Sequence, residues 1–230
     1  MTKASPRLAK AAPNRAADAK EDIRDAVTRL KRERIVDTAV ELFYRQGYGR
    51  TTLEQVADAM NVTKPFIYSH FASKNELLLE ICSRSIKLAH ESLNRASTQA
   101  LPVSDRLKLV IRDFLMAVLR YQANAVIFSR EEKELDPEDL GAINRLRREF
   151  DHRLVALLKE GQASGEFQME DVHLAALAIG GVVGWSPVWY RKTGRLPLEE
   201  VAEGLARLVL SMVQSKSGRG SKAPKVHPAG

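Results

Sequence analysis

The stretch Thr51–Lys74, reading TTLEQVADAMNVTKPFIYSHFASK, confines this chain more tightly than any other. Its apolar spacing and its breakers describe two short helices joined by a tight turn. Thr51 or Thr52 can cap the first helix, with Glu54 or Gln55 three positions on completing a capping box. Leu53, Val56, Ala57 and Met60 recur at helical spacing and make one face to bury, with Ala57 small where two helices cross closely. Asn61 falls where the chain must turn, and asparagine tolerates the left-handed conformation better than most residues with a Cβ. Val62 plugs the turn and Thr63 is placed as the N-cap of the second helix. Pro65 suits a first turn, where its missing N–H would have no helical partner. Ile67 and Phe71 face inward, leaving Lys64, Phe66, Tyr68, Ser69 and His70 to face out. No acid stands between Asp58 and Glu76, so nothing on the second helix repels phosphate. This is the pattern of a helix-turn-helix, which sets its second helix in the DNA major groove. Ser73-Lys-Asn-Glu76 is a further capping box and opens a long helix.

The rest of the chain is helical in pattern, without strand-like alternation. Residues 30–47 form a first helix whose Ile35, Ala39, Leu42 and Phe43 share a face, and Gly47 stops it. Further helices are expected at about 74–98, 103–122, 124–132, 138–161, 170–191 and 197–214, punctuated by Pro102, Pro137, Gly161, Gly165, Gly194 and Pro197. The fold class is therefore all-α: an N-terminal three-helix helix-turn-helix domain and a larger helical ligand-binding and dimerisation domain. The expected boundaries are 1–29 for a disordered basic tail, 30–73 for the DNA-binding domain, 74–214 for the larger domain and 215–230 for a second disordered basic tail.

Charge supports that division. The net charge of +7 divides into +3 on residues 1–30 and +4 on 215–230, so the stretch between is neutral. The N-terminal end is rich in Ala and the C-terminal end in Ser, Gly and Pro, and both read as disordered. The N-terminal tail is either a source of nonspecific phosphate contacts or a solvated segment. The single cysteine, Cys82, excludes an internal disulfide and fits a reducing cytoplasm; its place in an amphipathic helix makes it buried filler. No N-terminal apolar region suggests a secretory signal. The longest uncharged run, Leu174–Tyr190, falls short of the roughly 20 residues of a membrane span and reads as a buried helix, so no membrane partner is expected.

With these residues in view, Arg34–Ile81 resembles the N-terminal domain of the TetR family of bacterial repressors. The matching pieces are IVDTAVELFYRQGY, TTLEQVADAMNV, TKPFIYSHF and SKNELL, with Asn61 standing where the family usually has glycine. The resemblance implies that Thr52, Lys64, Tyr68 and Lys74 touch phosphates, and that Lys64, Pro65, Phe66 and His70 could reach base edges. Thr51 and Thr63 complete the expected DNA-binding set. For Phe66 and Tyr68 an ordinary core position is the competing reading.

Two features of the larger domain bear on an effector. Arg147 sits between Ile143 and Phe150 along the apolar stripe of helix 138–161, flanked by Arg148 and Arg153. Such an arginine either pairs with a carboxylate such as Asp113 or Glu149, or awaits an anionic ligand. Gly180, Gly181 and Gly184 lie near Trp185 and Trp189 and must permit close helix approach or room for a ligand. The two tryptophans share a face, for the core, a dimer seam or a pocket wall.

Phe128–Val213, through Glu160-Gly161…Gly165-Glu166-Phe167, Trp185…Trp189-Tyr190 and the helix after Leu196-Pro197, resembles the C-terminal domain of TetR-family regulators of fatty-acid and steroid breakdown. That resemblance implies release from double-stranded operator DNA by acyl-CoA thioesters and a homodimer through helices 170–191 and 197–214. It also implies contacts of Arg147 or Arg148 with CoA phosphate and of Trp185 with the acyl part; Phe150 and Trp189 join the candidate ligand set. No cofactor and no metal are expected, the effector apart. The alternatives are a TetR-like repressor of an efflux gene that senses lipophilic drugs, an acyl-CoA-handling enzyme and a ligand-independent DNA-binding protein. The five scattered histidines and the lack of a nucleophile elbow weigh against the enzyme.

Overall fold

The computed structural model describes residues 15–214, with side chains from residue 21 onward. Among these residues there are nine α-helices, one short 3₁₀ turn and no named strand. The chain divides into two compact units, the first ending at Ser73 and the second beginning at Lys74.

The first unit holds α1 (Arg15–Gln46), α2 (Leu53–Met60) and α3 (Lys64–Tyr68). Ile35, Ala39, Phe43, Val56, Ala57, Ile67 and Phe71 are buried at its centre, which is the face that the spacing specifies. The capping box at α2 uses Thr52 and Gln55: Gln55 N–H donates to Thr52 Oγ1 at 3.2 Å and Thr52 N–H to Gln55 Oε1 at 3.0 Å. Asn61 ends α2 in the left-handed conformation, at φ 55° and ψ 45°.

The N-terminal boundary differs from the expected one. A disordered tail over 1–29 gives way to helix from Arg15, because residues 15–46 contain no Gly or Pro and are rich in Ala, Glu, Lys and Arg. Residues 1–14 and 215–230, where the remaining tail expectations fall, lie outside the described residues.

The second unit runs through α4 (Lys74–Ser97), α5 (Val103–Arg120), α6 (Gln122–Glu131), α7 (Pro137–Ala163), α8 (Val172–Trp189) and α9 (Leu198–Val213). Helix α5 is the central member, packed against α4, α7, α8 and α9. Its Leu107, Val110, Ile111 and Leu115 are fully buried in the core that those helices share.

The α7–α8 connection is a staple onto α5. A Cβ on Gly161 would lie 2.1 Å from the Phe167 ring, so only glycine admits that ring, and Gly165 turns the chain at φ +79°. Glu166 then accepts the N–H groups of Val103 and Ser104, at 3.1 and 3.0 Å, satisfying donors that the start of α5 leaves open.

Helix α8 corrects the expectation of a buried helix. Only its inner side, through Ala176, Ile179, Val183, Ser186 and Pro187, is buried. Leu174, Leu177, Trp185, Val188 and Trp189 are exposed, and a Cβ on Gly180, Gly181 or Gly184 would meet open space. Pro187 leaves the Val183 carbonyl without its helical donor, and the Ser186 hydroxyl supplies one at 2.7 Å.

Candidate functional site

Helix α3 presents the candidate DNA surface. Thr63, Lys64, Pro65 and Tyr68 are exposed, Phe66 and His70 are half-buried, and Ile67 and Phe71 anchor the helix from beneath. Tyr68 is thus a surface residue, 44% exposed, rather than a core aromatic. Thr63 caps α3 by backbone geometry alone, and its hydroxyl makes no capping bond. Thr52 is exposed at the start of α2, while Lys74 belongs to the second unit as the first residue of α4.

Thr51 corrects the expected set. It is fully buried, donating its hydroxyl to the Gly47 carbonyl at 2.9 Å and accepting from Gln46 Nε2 at 3.1 Å. A hydroxyl so enclosed and so engaged cannot meet a phosphate, and its role is to tie the end of α1 to the start of α2.

Three contacts at this surface join positions distant in sequence. Glu54 of α2 ion-pairs with the Lys64 ammonium, holding the carboxyl below its usual range and the ammonium above its own. An acid therefore does stand beside the recognition helix, brought from the preceding helix rather than from α3. Arg32 of α1 donates to the His70 carbonyl and lies over the Phe71 ring at 4.0 Å, fixing the end of α3. Lys31, also on α1, sits 5.8 Å from the Phe66 ring centroid. Burial, helped by Lys31 and Arg32, pushes the His70 imidazole below its usual range, which favours the neutral ring. Phe66 and His70 meet edge to face at 5.1 Å.

In the second unit the expected effector residues are not gathered. Phe150 is buried, edge-on to Phe114 and His90. Arg147 is exposed and lays its guanidinium 4.3 Å from the Phe128 ring centroid, and Arg148 is exposed beside it. Among the described residues Arg147 has no carboxylate within salt-bridge distance; Asp113 pairs with Arg95 and Arg112, each at 3.0 Å. Trp185 and Trp189 stand on the exposed side of α8, which corrects their reading as core residues.

An open cleft of about 940 Å³ lies instead along α4, α5 and α9. Arg95, Arg112, Arg120 and Arg207 line it with Asp113, Glu199, Glu200 and Glu203, around the apolar Leu88, Met116 and Tyr121. Lys108 and Arg207 hold Glu203, at 2.6 and 3.3 Å, and keep its carboxyl below the usual carboxylate range. Arg120, Glu199 and Glu200 have no ion-pair partner among the described residues. Sequence reasoning missed this cleft because its lining comes mainly from three helices, α4, α5 and α9, that meet only through tertiary packing.

Two family descriptions match the chain: residues 35–81 match "Bacterial regulatory proteins, tetR family" and residues 100–213 match "Tetracyclin repressor-like, C-terminal domain". The chain is 30% identical to a TetR/AcrR-family transcriptional regulator from Thermobifida fusca YX-ER1, over 78% of this chain and 96% of that one, with a TM-score of 0.63. It belongs to the TetR family of helix-turn-helix transcriptional regulators. The HTH-type transcriptional repressor KstR2 of Mycolicibacterium smegmatis is 24% identical over 190 residues, 82% of this chain and 93% of that protein. The structure of AibR in complex with isovaleryl coenzyme A and operator DNA matches at 27% identity and a TM-score of 0.63, covering 77% of this chain and 97% of that one.

Proposed function

We propose that this TetR-family protein is a ligand-released repressor that binds a palindromic operator as a homodimer and leaves it when an acyl-CoA thioester binds. The observation that carries the DNA-reading part is the exposed row Thr63, Lys64, Pro65 and Tyr68 on α3, seated on buried Ile67 and Phe71. Thr52, Lys64, Tyr68 and Lys74 hold phosphates in this reading, and Pro65, Phe66 and His70 approach base edges. Its domain division is a reader over residues 30–73 and an effector and dimer domain over 74–214.

The dimer is supported by the apolar face that α8 and α9 leave uncovered: Leu174, Leu177, Trp185, Val188, Trp189, Leu208 and Met212 are all at least 46% exposed. A two-fold partner covers it and places two recognition helices about 34–36 Å apart. The acyl-CoA part draws on the isovaleryl-CoA complex of AibR and on guanidinium groups free to take phosphate. Arg147 and Arg148, exposed on α7, form one such surface; Arg120 in the cleft forms another. Ligand binding acts through α4, which follows directly on the reader, by favouring a state with lower operator affinity.

The test is fluorescence anisotropy on the upstream intergenic DNA with a panel of CoA thioesters, comparing wild type, Arg147→Ala and Arg120→Ala. Release by one thioester, blunted in one variant with DNA affinity unchanged, supports the reading and assigns the phosphate site. Operator binding that no thioester relieves removes the acyl-CoA effector. A second reading, a lipophilic cation as effector, draws on Glu199 and Glu200 beside Leu88, Met116 and Tyr121 in the cleft.

A further inference from the structure

We propose that the part of α1 ahead of Ile35 is a DNA-contacting arm, with Arg24 and Lys31 on phosphates beside the recognition helix. This rests on the DNA-reading function proposed above. Helix α1 begins at Arg15, so about five turns precede the start of the family's DNA-binding match at residue 35. From residue 21 to 34 every side chain is exposed except half-buried Arg32. Packing in the core of the first unit therefore does not account for this segment.

Its charges are sorted by face. Arg24 and Lys31 are seven residues apart, which places them on one edge of the helix, about 10.5 Å apart along the axis. That edge has a known direction, because Lys31 lies 5.8 Å from the Phe66 ring centroid on the flank of the recognition helix. Asp22, Asp25 and Glu33 fall on the opposite half, about 100° or more round the helix, and Glu21 is the one acid nearer, about 60–80° from that edge. A third side carries the exposed Ile23, Val27 and Leu30. A basic edge continuous with the reading surface, and acids turned from it, is the arrangement that lets a helix run beside a phosphate backbone.

The experiment measures affinity for the upstream duplex against salt concentration, using the full chain. Arg24→Gln/Lys31→Gln should lower the slope of log K against log salt by about two per bound protomer, since each phosphate contact contributes about 0.9. Arg29→Gln, on the acidic half, should leave the slope unchanged, and Lys64→Ala should lower it by about one per bound protomer. Glutamine preserves helix propensity, and far-UV circular dichroism checks that α1 persists. A wild-type slope in the double variant, with the Lys64→Ala slope reduced, overturns the arm and leaves the repressor reading standing. An Arg29→Gln loss per charge as large as that of the double variant also overturns it, because net charge then replaces a positioned edge. Wild-type binding without salt dependence overturns the DNA-reading function and the arm together.

Discussion

At the scale of single residues, the reading surface is set by which side chains remain free once the fold is satisfied. Thr51 and Thr52 are adjacent and chemically identical, yet one is sealed between Gln46 and Gly47 while the other caps α2 at the surface. Exposure separates Tyr68 from Phe71 in the same way. Lys64→Ala should weaken binding to every duplex and lower the salt slope by about one per bound protomer, whereas a change confined to sequence preference would make Lys64 a base reader. Glu54 shares the Lys64 ammonium, so Glu54→Gln should raise DNA affinity a few-fold by removing a competitor of phosphate. A fall in affinity would instead make Glu54 the residue that positions Lys64. Tyr68→Ala should reduce operator affinity without lowering the melting temperature; a large thermal loss would contradict its surface role.

Among the elements, the α7–α8 connection shows a motif acquiring a physical meaning. Gly161, Gly165, Glu166 and Phe167 carried a resemblance in the sequence; in the fold they form a packing and capping device on α5. Gly161→Ala should cost about 1–3 kcal/mol by driving a methyl into the Phe167 ring, read as a fall in denaturation midpoint. Bonds from Ser104 and Val103 hold the Glu166 carboxyl below its ordinary range. A depressed folded-state value contributes stability above the unfolded one and loses it as pH falls through the folded one. Glu166→Gln should therefore lower stability at neutral pH by about 1 kcal/mol, and the difference from wild type should shrink as pH drops below about 4.3. An unchanged difference down to pH 3 would contradict the capping role. Helix positions and the α2–α3 turn were legible because caps, breakers and apolar spacing act over a few residues, as at Thr52, Asn61 and Pro65. The start of α1 was misplaced because the composition of 1–29 averaged a Pro-containing stretch with one that lacks both Pro and Gly. The Glu54–Lys64 pair and the arginines of the cleft were out of reach, since they meet only through tertiary packing.

For the whole molecule, the apolar outer face of α8 is the feature that one chain alone does not explain. A sequence cannot distinguish an apolar face destined for its own core from one reserved for a partner, and α8 has both. Trp185→Asp should convert a dimer to monomer in sedimentation velocity at micromolar concentration while helicity is retained; an unchanged sedimentation coefficient would place the dimer seam elsewhere. The central claim, that α3 reads DNA as one half of a symmetric pair, is tested most directly by a hydroxyl-radical footprint on the upstream intergenic DNA. The account predicts two protected half-sites related by dyad symmetry, their centres about one helical turn or a whole multiple of it apart, and both lost in Lys64→Ala/Tyr68→Ala. Protection that survives that double variant would contradict α3 as the reader, and a single unpaired block would contradict the two-fold pair.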